Sequence, residues 1–272
     1  MQRSVYTLLL GAVLLMTACN ACTLLDTISK NGGSEVDMIE STAEPIEHTL
    51  FNDILTEYVS EAGYVDYNGL EENRGKLDEY IKLLQNNAPN PDKWSEDERL
   101  AYWINVYNAH ALKIVIDNLP VESIKDAEED IWNHKHIRIA DETYSFNNVE
   151  HNLIRPRFKE PLIHFGVNCA SMSCPSLRNE AYTGDRVREQ LAEQARYFLN
   201  ESGKNRLSTN SAELSKIFDW YKRDFGGSKA ERLEYINQYA STKVNTDASV
   251  SYMDYDWSLN SQENYKKATA GR

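Results

Sequence analysis

Positive charge is scarce in this sequence of 272 residues, which contains 29 Lys and Arg residues against 42 Asp and Glu residues and has a formal net charge of −13. A surface of that sign repels nucleic acid and anionic lipid headgroups, so nucleic-acid binding is not expected. The G-x-S-x-G, P-loop and G-x-G-x-x-G patterns are also missing, which leaves serine-hydrolase, nucleotide and dinucleotide chemistry without support. No cofactor is predicted.

The N-terminal apolar run, residues 8–16, is too short for a membrane-spanning helix, which needs roughly 20 residues. It follows Arg3 and precedes small residues and Cys19, as in an export signal. Residues 1–18 are therefore predicted to be a signal peptide. The M-T-A-C sequence resembles a bacterial lipobox with Cys19 as the lipid attachment site, and the alternative is an ordinary secretory signal. We expect an extracytoplasmic lipoprotein anchored in a membrane of the bacterial cell envelope, with the outer membrane as one candidate.

The rest of the chain divides into a tether and one domain. Residues 19–46 contain Asn-Gly-Gly-Ser and lack apolar periodicity, which is typical of a flexible tether. Residues 47–262 are then predicted to form a single globular domain, large enough to bury a core without disulfide bonds. Residues 263–272 are left as a C-terminal tail.

The longest predicted helix covers residues 95–119 and contains a buried asparagine. Ser95 and Glu98 have the spacing of a capping box, and Pro120 follows the end of the helix. Apolar residues recur at helical spacing on one face, and Asn108 lies within that face. Because a buried amide must be hydrogen-bonded, Asn108 is expected either to fix a neighbouring loop or to orient a functional group.

The remaining pattern predicts an α+β fold with a small, mostly antiparallel sheet flanked by several helices. Helices are predicted near residues 50–59, 70–84, 147–155, 185–199, 213–223 and 229–240. Alternation predicts a hairpin over residues 134–146, a strand over 161–168 and short strands near 206–207 and 248–252. Asn147 is the predicted cap of its helix, and Pro156 is the predicted stop.

Six motifs together resemble one known family. They are GYVDYNGL, LAYWINVYNAHAL, YSFNNVEHNLIRPRF, LIHFGVNCASMSCPSL, IFDWYKRDFGG and YMDYDWSLN. In this order, over residues 48–262, they are similar to the family named domain of unknown function 547. The resemblance implies a domain without a settled activity, and a fold similar to papain-like or transglutaminase-like cysteine enzymes.

Two cysteines outside the lipobox region, Cys169 and Cys174, are the candidates for chemistry. A cysteine hydrolase or acyl transferase needs a thiolate, a base and a group that orients the base. Cys169 is the predicted nucleophile towards an amide, ester or thioester carbonyl, and His151 is the predicted base. Glu150 or Asn108 is the predicted orienting partner.

The candidate residues also have alternative roles. His164 is the rival base, but strand alternation would turn it away from the thiol. Glu150 also fits a helix cap, and Cys169 fits a buried core position. Cys169 and Cys174 could instead form a disulfide, since the domain is expected outside the cytoplasm.

The preferred function is a thiol-dependent amide hydrolase or acyl transferase acting on a peptide-like envelope substrate. The alternative is a non-catalytic extracytoplasmic binding module braced by the Cys169–Cys174 disulfide. The cysteine pair discriminates the two, because an enzyme of this kind needs a free reactive thiol.

A metal site is not predicted. His134 and His136 fall on one face of the predicted strand, and either His151 or Cys169 could complete a ligand set. Alternating His and Arg is more typical of a solvated sheet face, however, and neither H-E-x-x-H nor paired C-x-x-C motifs occur.

Overall fold

The computed structural model describes residues 41–270 of the chain. The predictions of a signal peptide over 1–18 and of a lipid on Cys19 lie outside these residues, as does most of the tether over 19–46. Within residues 41–270, no helix combines the length and the apolar character that crossing a membrane requires.

Helices dominate the first part of the described chain: α1 (Thr49–Tyr58), α2 (Tyr67–Glu72), α3 (Gly75–Asn86), α4 (Glu96–Asp117) and a 3-10 turn (Ile124–Asp126). A hairpin and short helices follow: β1 (Ile137–Ile139), β2 (Glu142–Tyr144), a π-helix (Asn148–Ile154), α5 (Arg155–Phe158) and α6 (Ile163–Gly166). The last part contains α7 (Val187–Asn200), β3 (Arg206–Leu207), β4 (Ser211–Leu214), α8 (Ile217–Trp220), α9 (Lys229–Tyr239), β5 (Ser249–Tyr252) and α10 (Gln262–Thr269). The predicted α+β class is confirmed.

Helix α4 is the centre of the core. The predicted capping box is formed: the Ser95 hydroxyl accepts from the Glu98 backbone N–H at 3.2 Å, and the Glu98 carboxylate accepts from the Ser95 N–H at 2.6 Å. Every residue from Leu100 to Leu112 is buried. A helix that is buried on all sides must be surrounded by other elements. Helix α4 therefore forms a rigid support for the loops packed on it.

The strands form two small sheets. Strands β1 and β2 are antiparallel, as the predicted hairpin requires, with Ile137 opposite Tyr144. In the second sheet β3 pairs with β4 in antiparallel orientation, whereas β4 and β5 are parallel. The sheet is therefore mixed, and its parallel pair brings the segment after β5 back towards the middle of the domain.

The predicted strand over residues 161–168 is wrong, because residues 163–166 form the short helix α6. Backbone hydrogen bonds join Phe165 N–H to Leu162 and Val167 N–H to Ile163. All four residues of α6 are buried. A short apolar run that is buried on every side has no periodicity to separate a helix from a strand.

The predicted helix over 147–155 begins differently and continues past its predicted stop. Asn147 makes no cap hydrogen bond; Ser145 and Asn148 instead exchange two bonds at 3.1 Å. Residues 148–154 adopt the wider π-helical turn, a form that often occurs at functional sites. Pro156 lies in the first turn of α5, where a missing N–H costs no hydrogen bond, so the chain stays helical to Phe158.

The predicted helix over 213–223 is also partly wrong. Residues 211–214 belong to β4, and only residues 217–220 are helical. The predicted helix over 70–84 is divided between α2 and α3. In both cases a turn interrupts an apolar pattern that is continuous in the sequence.

Candidate functional site

The loop that carries Cys169 follows α6 and is fixed by asparagines. Asn108 donates from Nδ2 to the carbonyl of Gly166 at 2.9 Å, and its Oδ1 accepts from the Asn168 backbone N–H at 2.8 Å. Of the two roles predicted for Asn108, the structure shows the first: Asn108 fixes a neighbouring loop. No hydrogen bond in the described part of the chain joins it to a histidine, so it does not orient His151.

Two further asparagines hold the loop and were not predicted. Asn168 accepts from the Ala170 backbone N–H at 2.9 Å and from Asn260 at 3.2 Å, and donates to the Pro175 carbonyl at 2.6 Å. Asn260 in turn accepts from the Tyr67 hydroxyl at 2.6 Å. Because each amide is buried and paired, the loop has a single well-defined conformation.

The Cys169 thiol lies among hydrogen-bond donors. Its Sγ is 3.2 Å from the Ser171 hydroxyl and 3.3 Å from the Tyr255 hydroxyl. A hydrogen bond from Cys174 lowers the pKa of Cys169 to about 7 against the opposing effect of burial, and Ser171 and Tyr255 lower it further. The residue is half-buried. A thiol with these properties is substantially ionised at neutral pH and is the nucleophilic form of cysteine.

Cys174 supports the thiolate and remains protonated. It is 4% exposed, and burial raises its pKa well above the ordinary value. Its Sγ also accepts from the Cys169 backbone N–H at 3.0 Å. Both cysteines are free thiols, so the disulfide of the alternative prediction is not formed in this structure. The short loop holds Cys174 as a hydrogen-bond partner of Cys169 instead.

The backbone after the thiol is strained. Ala170 has φ +57°, in the left-handed region that a residue with a Cβ enters only at a cost. Strain of about 1–3 kcal/mol persists where the surroundings fix the backbone, often at functional sites. The hydrogen bonds of Asn168 and Asn260 to the Ala170 backbone hold this conformation.

The two candidate histidines belong to a separate buried cluster. The π-helix carries Glu150 and His151, and α6 carries His164. His164 Nε2 is 2.7 Å from the Asp224 carboxylate, which also accepts two hydrogen bonds from Arg155 at 2.8 and 2.9 Å. Arg155 makes a third contact, at 2.8 Å, with His151 Nδ1.

These contacts differ between the two histidines. A guanidinium can only donate, so His151 Nδ1 accepts from Arg155 and its proton lies on Nε2. The Asp224 carboxylate accepts from His164 Nε2, and His164 Nδ1 is buried without a hydrogen-bond partner. A carboxylate that orients a histidine in this way is the arrangement of a general base. A carboxylate therefore orients His164, the rival base, whereas Arg155 occupies Nδ1 of His151.

Buried charges dominate the electrostatics of this cluster. Burial raises the pKa of Glu150, but His151 and His164, whose Nδ1 atoms are both 3.9 Å from Glu150 Oε1, lower it below the ordinary value overall. Burial lowers the pKa of His151. Burial also raises the pKa of Asp224, but hydrogen bonds from His164 and Arg155 lower it well below its ordinary range.

Tyr221 belongs to the histidine cluster and also interacts electrostatically with Cys169. Its ring stacks on His164 with centroids 3.8 Å apart, and it is hydrogen-bonded to Glu150. Over residues 41–270 no hydrogen bond joins Cys169 to His151 or His164. The structure thus brings Glu150, His151 and His164 together, and Cys169 with Cys174, but does not form the predicted Cys–His contact.

A cleft of about 400 Å³ opens beside the histidine cluster. It is lined by His151, Arg155, Pro156, Lys159, Glu160, Pro161, Ile163 and Asp224. On the thiol side, the rings of Trp220 and Trp257 lie 4.7 and 4.6 Å from the ring of Tyr255, and all three are half-buried. We call these three residues the aromatic wall; Tyr255 is its contact with Cys169.

The fold and these contacts define an α+β domain with an acidic, half-buried thiol and an adjacent histidine–carboxylate cluster. Residues 91–199 match the model of the family described as "Protein of unknown function, DUF547", the family that the motifs resemble. The matched region includes Cys169, Cys174 and both histidines, whereas Asp224 and Tyr255 lie beyond it.

Searches of curated proteins and of solved structures gave no match. The papain-like or transglutaminase-like fold therefore stays a prediction.

Proposed function

We propose that the domain is a thiol-dependent amide hydrolase or acyl transferase with Cys169 as its nucleophile. The observation that carries the proposal is the hydrogen bonding of Cys169: Cys174, Ser171 and Tyr255 contact the thiol, the two hydroxyls at 3.2 and 3.3 Å from Sγ, and lower its pKa to about 7. A thiolate that is already present at neutral pH needs no neighbouring base to remove its proton. The absence of a Cys169–histidine contact in the described residues is then compatible with nucleophilic attack.

The proposed reaction has two steps. The Cys169 thiolate attacks the substrate carbonyl carbon, the carbon–nitrogen bond breaks, and the amine leaves with a proton taken from solvent water to give a thioester on Cys169. Water or an acceptor amine then attacks the thioester and regenerates the thiol. We assign the second step's base to His164, because Asp224 orients its ring and its Nδ1 makes no hydrogen bond.

We also propose a peptide-like substrate in the cell envelope and attachment of the protein to a membrane through a lipid on Cys19. The half-buried aromatic wall beside Cys169 suits extended peptide chains with apolar side chains. The M-T-A-C sequence supports the lipid attachment.

The first experiment tests acyl transfer to the thiol. The purified protein is incubated with a small activated thioester or ester, and the acyl group is located by mass spectrometry. We expect an acyl adduct on Cys169 and turnover of the reagent. The Cys169→Ser variant should form no adduct at this position. Cys169→Ser must remain folded by circular dichroism for the comparison to hold.

Two further variants separate the steps. Cys174→Ser is expected to keep the adduct, and His164→Gln is expected to form it but to release it at least tenfold more slowly. Absence of an adduct on native Cys169, or equal turnover by Cys169→Ser, would contradict the enzyme and favour the non-catalytic binding module.

A second prediction concerns the acidity of the thiol. The rate of Cys169 alkylation by iodoacetamide is expected to rise with pH with a midpoint near 7. In Cys174→Ala, loss of the largest pKa-lowering hydrogen bond moves the midpoint up, so labelling at pH 7 slows roughly tenfold for each unit of pKa. Cys174→Ser retains a donor and is the matched control. If the midpoint is unchanged in Cys174→Ala, the hydrogen bond from Cys174 is not a cause of the lowered pKa of Cys169.

A further inference from the structure

The segment before β1 brings three metal-ligating side chains together. Glu128, His134 and His136 each offer one ligand atom, and these atoms lie within 4.8 Å of one another. The ligand sets considered from the sequence combined the two histidines with His151 or Cys169, neither of which belongs to this group. Glu128, eight residues before His136, supplies the third ligand instead.

The contacts of His136 favour metal binding. Its Nδ1 is 3.0 Å from the His134 carbonyl, so Nδ1 carries the proton and donates to that oxygen. Its Nε2 then carries the lone pair, and this atom is buried without a hydrogen-bond partner. Zinc-binding histidines are oriented in the same way, by a hydrogen bond from the second ring nitrogen to a carbonyl or carboxylate.

The other two ligands are already in contact. His134 Nδ1 is paired with a Glu128 carboxylate oxygen. The His134 side chain is half exposed, so it can rotate without disturbing the core. Ligand atoms around a tetrahedral zinc ion are about 3.4 Å apart at bond lengths of about 2.0–2.2 Å, which small rotations of these side chains can reach.

We propose that Glu128, His134 and His136 form a binding site for a divalent transition-metal ion, with zinc as the best match. Two histidines and one carboxylate are a known zinc ligand set that leaves a fourth position open. The site is independent of the proposed acyl-transfer chemistry.

The ion would fix the segment that carries Trp132. The Trp132 ring lies 5.9 Å from Phe146 and 6.0 Å from Trp257, and the His136 ring is 4.7 Å from Phe146. Trp257 belongs to the aromatic wall beside the thiol. Metal binding at Glu128, His134 and His136 therefore stabilises the packing behind the wall.

The test is zinc titration of the chelator-treated protein by calorimetry, with the melting temperature followed in parallel. We expect one zinc ion per chain and a rise in melting temperature of several degrees. His134→Ala, which alters an exposed side chain, should weaken binding at least tenfold. Glu128→Gln should also weaken it, whereas Glu142→Gln, an exposed carboxylate change on neighbouring β2, should not.

Cobalt supplies an independent readout. Co²⁺ bound by two histidines and a carboxylate gives visible d–d absorption bands, which should appear with the native protein and be lost with His134→Ala. The proposal is overturned if the native protein shows no saturable zinc binding. It is equally overturned if zinc binding and the cobalt spectrum are the same in His134→Ala, because the ion then binds elsewhere.

Discussion

Acidification from pH 6.5 to pH 4.5 is expected to lower the free energy of unfolding by about 4 kcal/mol, because two buried histidines remain neutral in the folded protein. Burial lowers the pKa of His48 and of His110 to about 4 from 6.5. The rings are 6% and 4% exposed. Across the full range between the two pKa values, each histidine accounts for about 3 kcal/mol.

The sign of the change in stability depends on whether the folded or the unfolded chain takes up protons at the higher pH. Above pH 6.5 both states are neutral and the stability is fully present. As the pH falls towards 4 the unfolded chain takes up protons that the folded protein does not, so stability is lost. His151, whose pKa is also lowered by burial, acts in the same direction. Glu150 and Asp224, whose pKa values are lowered in the folded protein, reduce the free energy of unfolding only below about pH 4.5. The change between pH 6.5 and 4.5 therefore comes from the histidines.

Urea unfolding at a series of pH values measures this effect. In the middle of the window each histidine contributes a slope of about 1.4 kcal/mol per pH unit. His110→Gln should therefore reduce the slope by that amount, whatever its effect on stability at pH 7. A stability that stays constant between pH 6.5 and 4.5 would show that these rings are protonated in the folded protein.

Asn108→Ala is expected to lower the free energy of unfolding by roughly 2–6 kcal/mol and to change the reactivity of the thiol. The amide satisfies the buried carbonyl of Gly166 and the buried N–H of Asn168. Each group left without a partner costs about 1–3 kcal/mol. Because these groups fix the loop immediately before Cys169, we expect the alkylation midpoint to move up from about 7 towards the ordinary value for cysteine.

Asn105→Ala is the matched control. Asn105 lies one turn earlier in α4 and makes the same pair of bonds to a backbone, donating to the Tyr182 carbonyl at 2.8 Å and accepting from the Tyr182 N–H at 3.1 Å. It should cost a similar amount of stability and leave the alkylation profile of Cys169 unchanged. Equal alkylation profiles of the two variants would mean that Asn108 has no specific effect on the thiol.

Local sequence patterns were sufficient for the features that local physics determines. Ser95 and Glu98 mark the start of α4 because both groups of a capping box lie within one turn. The hairpin of β1 and β2 was predictable because its strands are joined by a tight turn. In the same way, Asn108 could be recognised as a buried amide that requires partners.

The site depends on contacts that no local pattern contains. Tyr255 meets Cys169 across 86 residues, and Asp224 meets His164 across 60. The choice of His151 over His164 rested on strand alternation, which does not apply to a helical α6. The motif IFDWYKRDFGG contained Tyr221 and Asp224, but the motif alone gives them no partner.

The thiol loop is closed by the segment after β5. Met172 N–H donates to the Ser258 carbonyl at 2.8 Å, and Asn260 N–H donates to the Ala170 carbonyl at 3.1 Å. Contacts between residues this distant in sequence form late, because closing a long loop costs entropy before any contact is gained. A chain that has formed its helices but has not yet joined these segments therefore carries a cysteine without the Tyr255 hydroxyl. Without that hydrogen bond the pKa of the thiol is less strongly lowered, so the full acidity of Cys169 requires the completed fold.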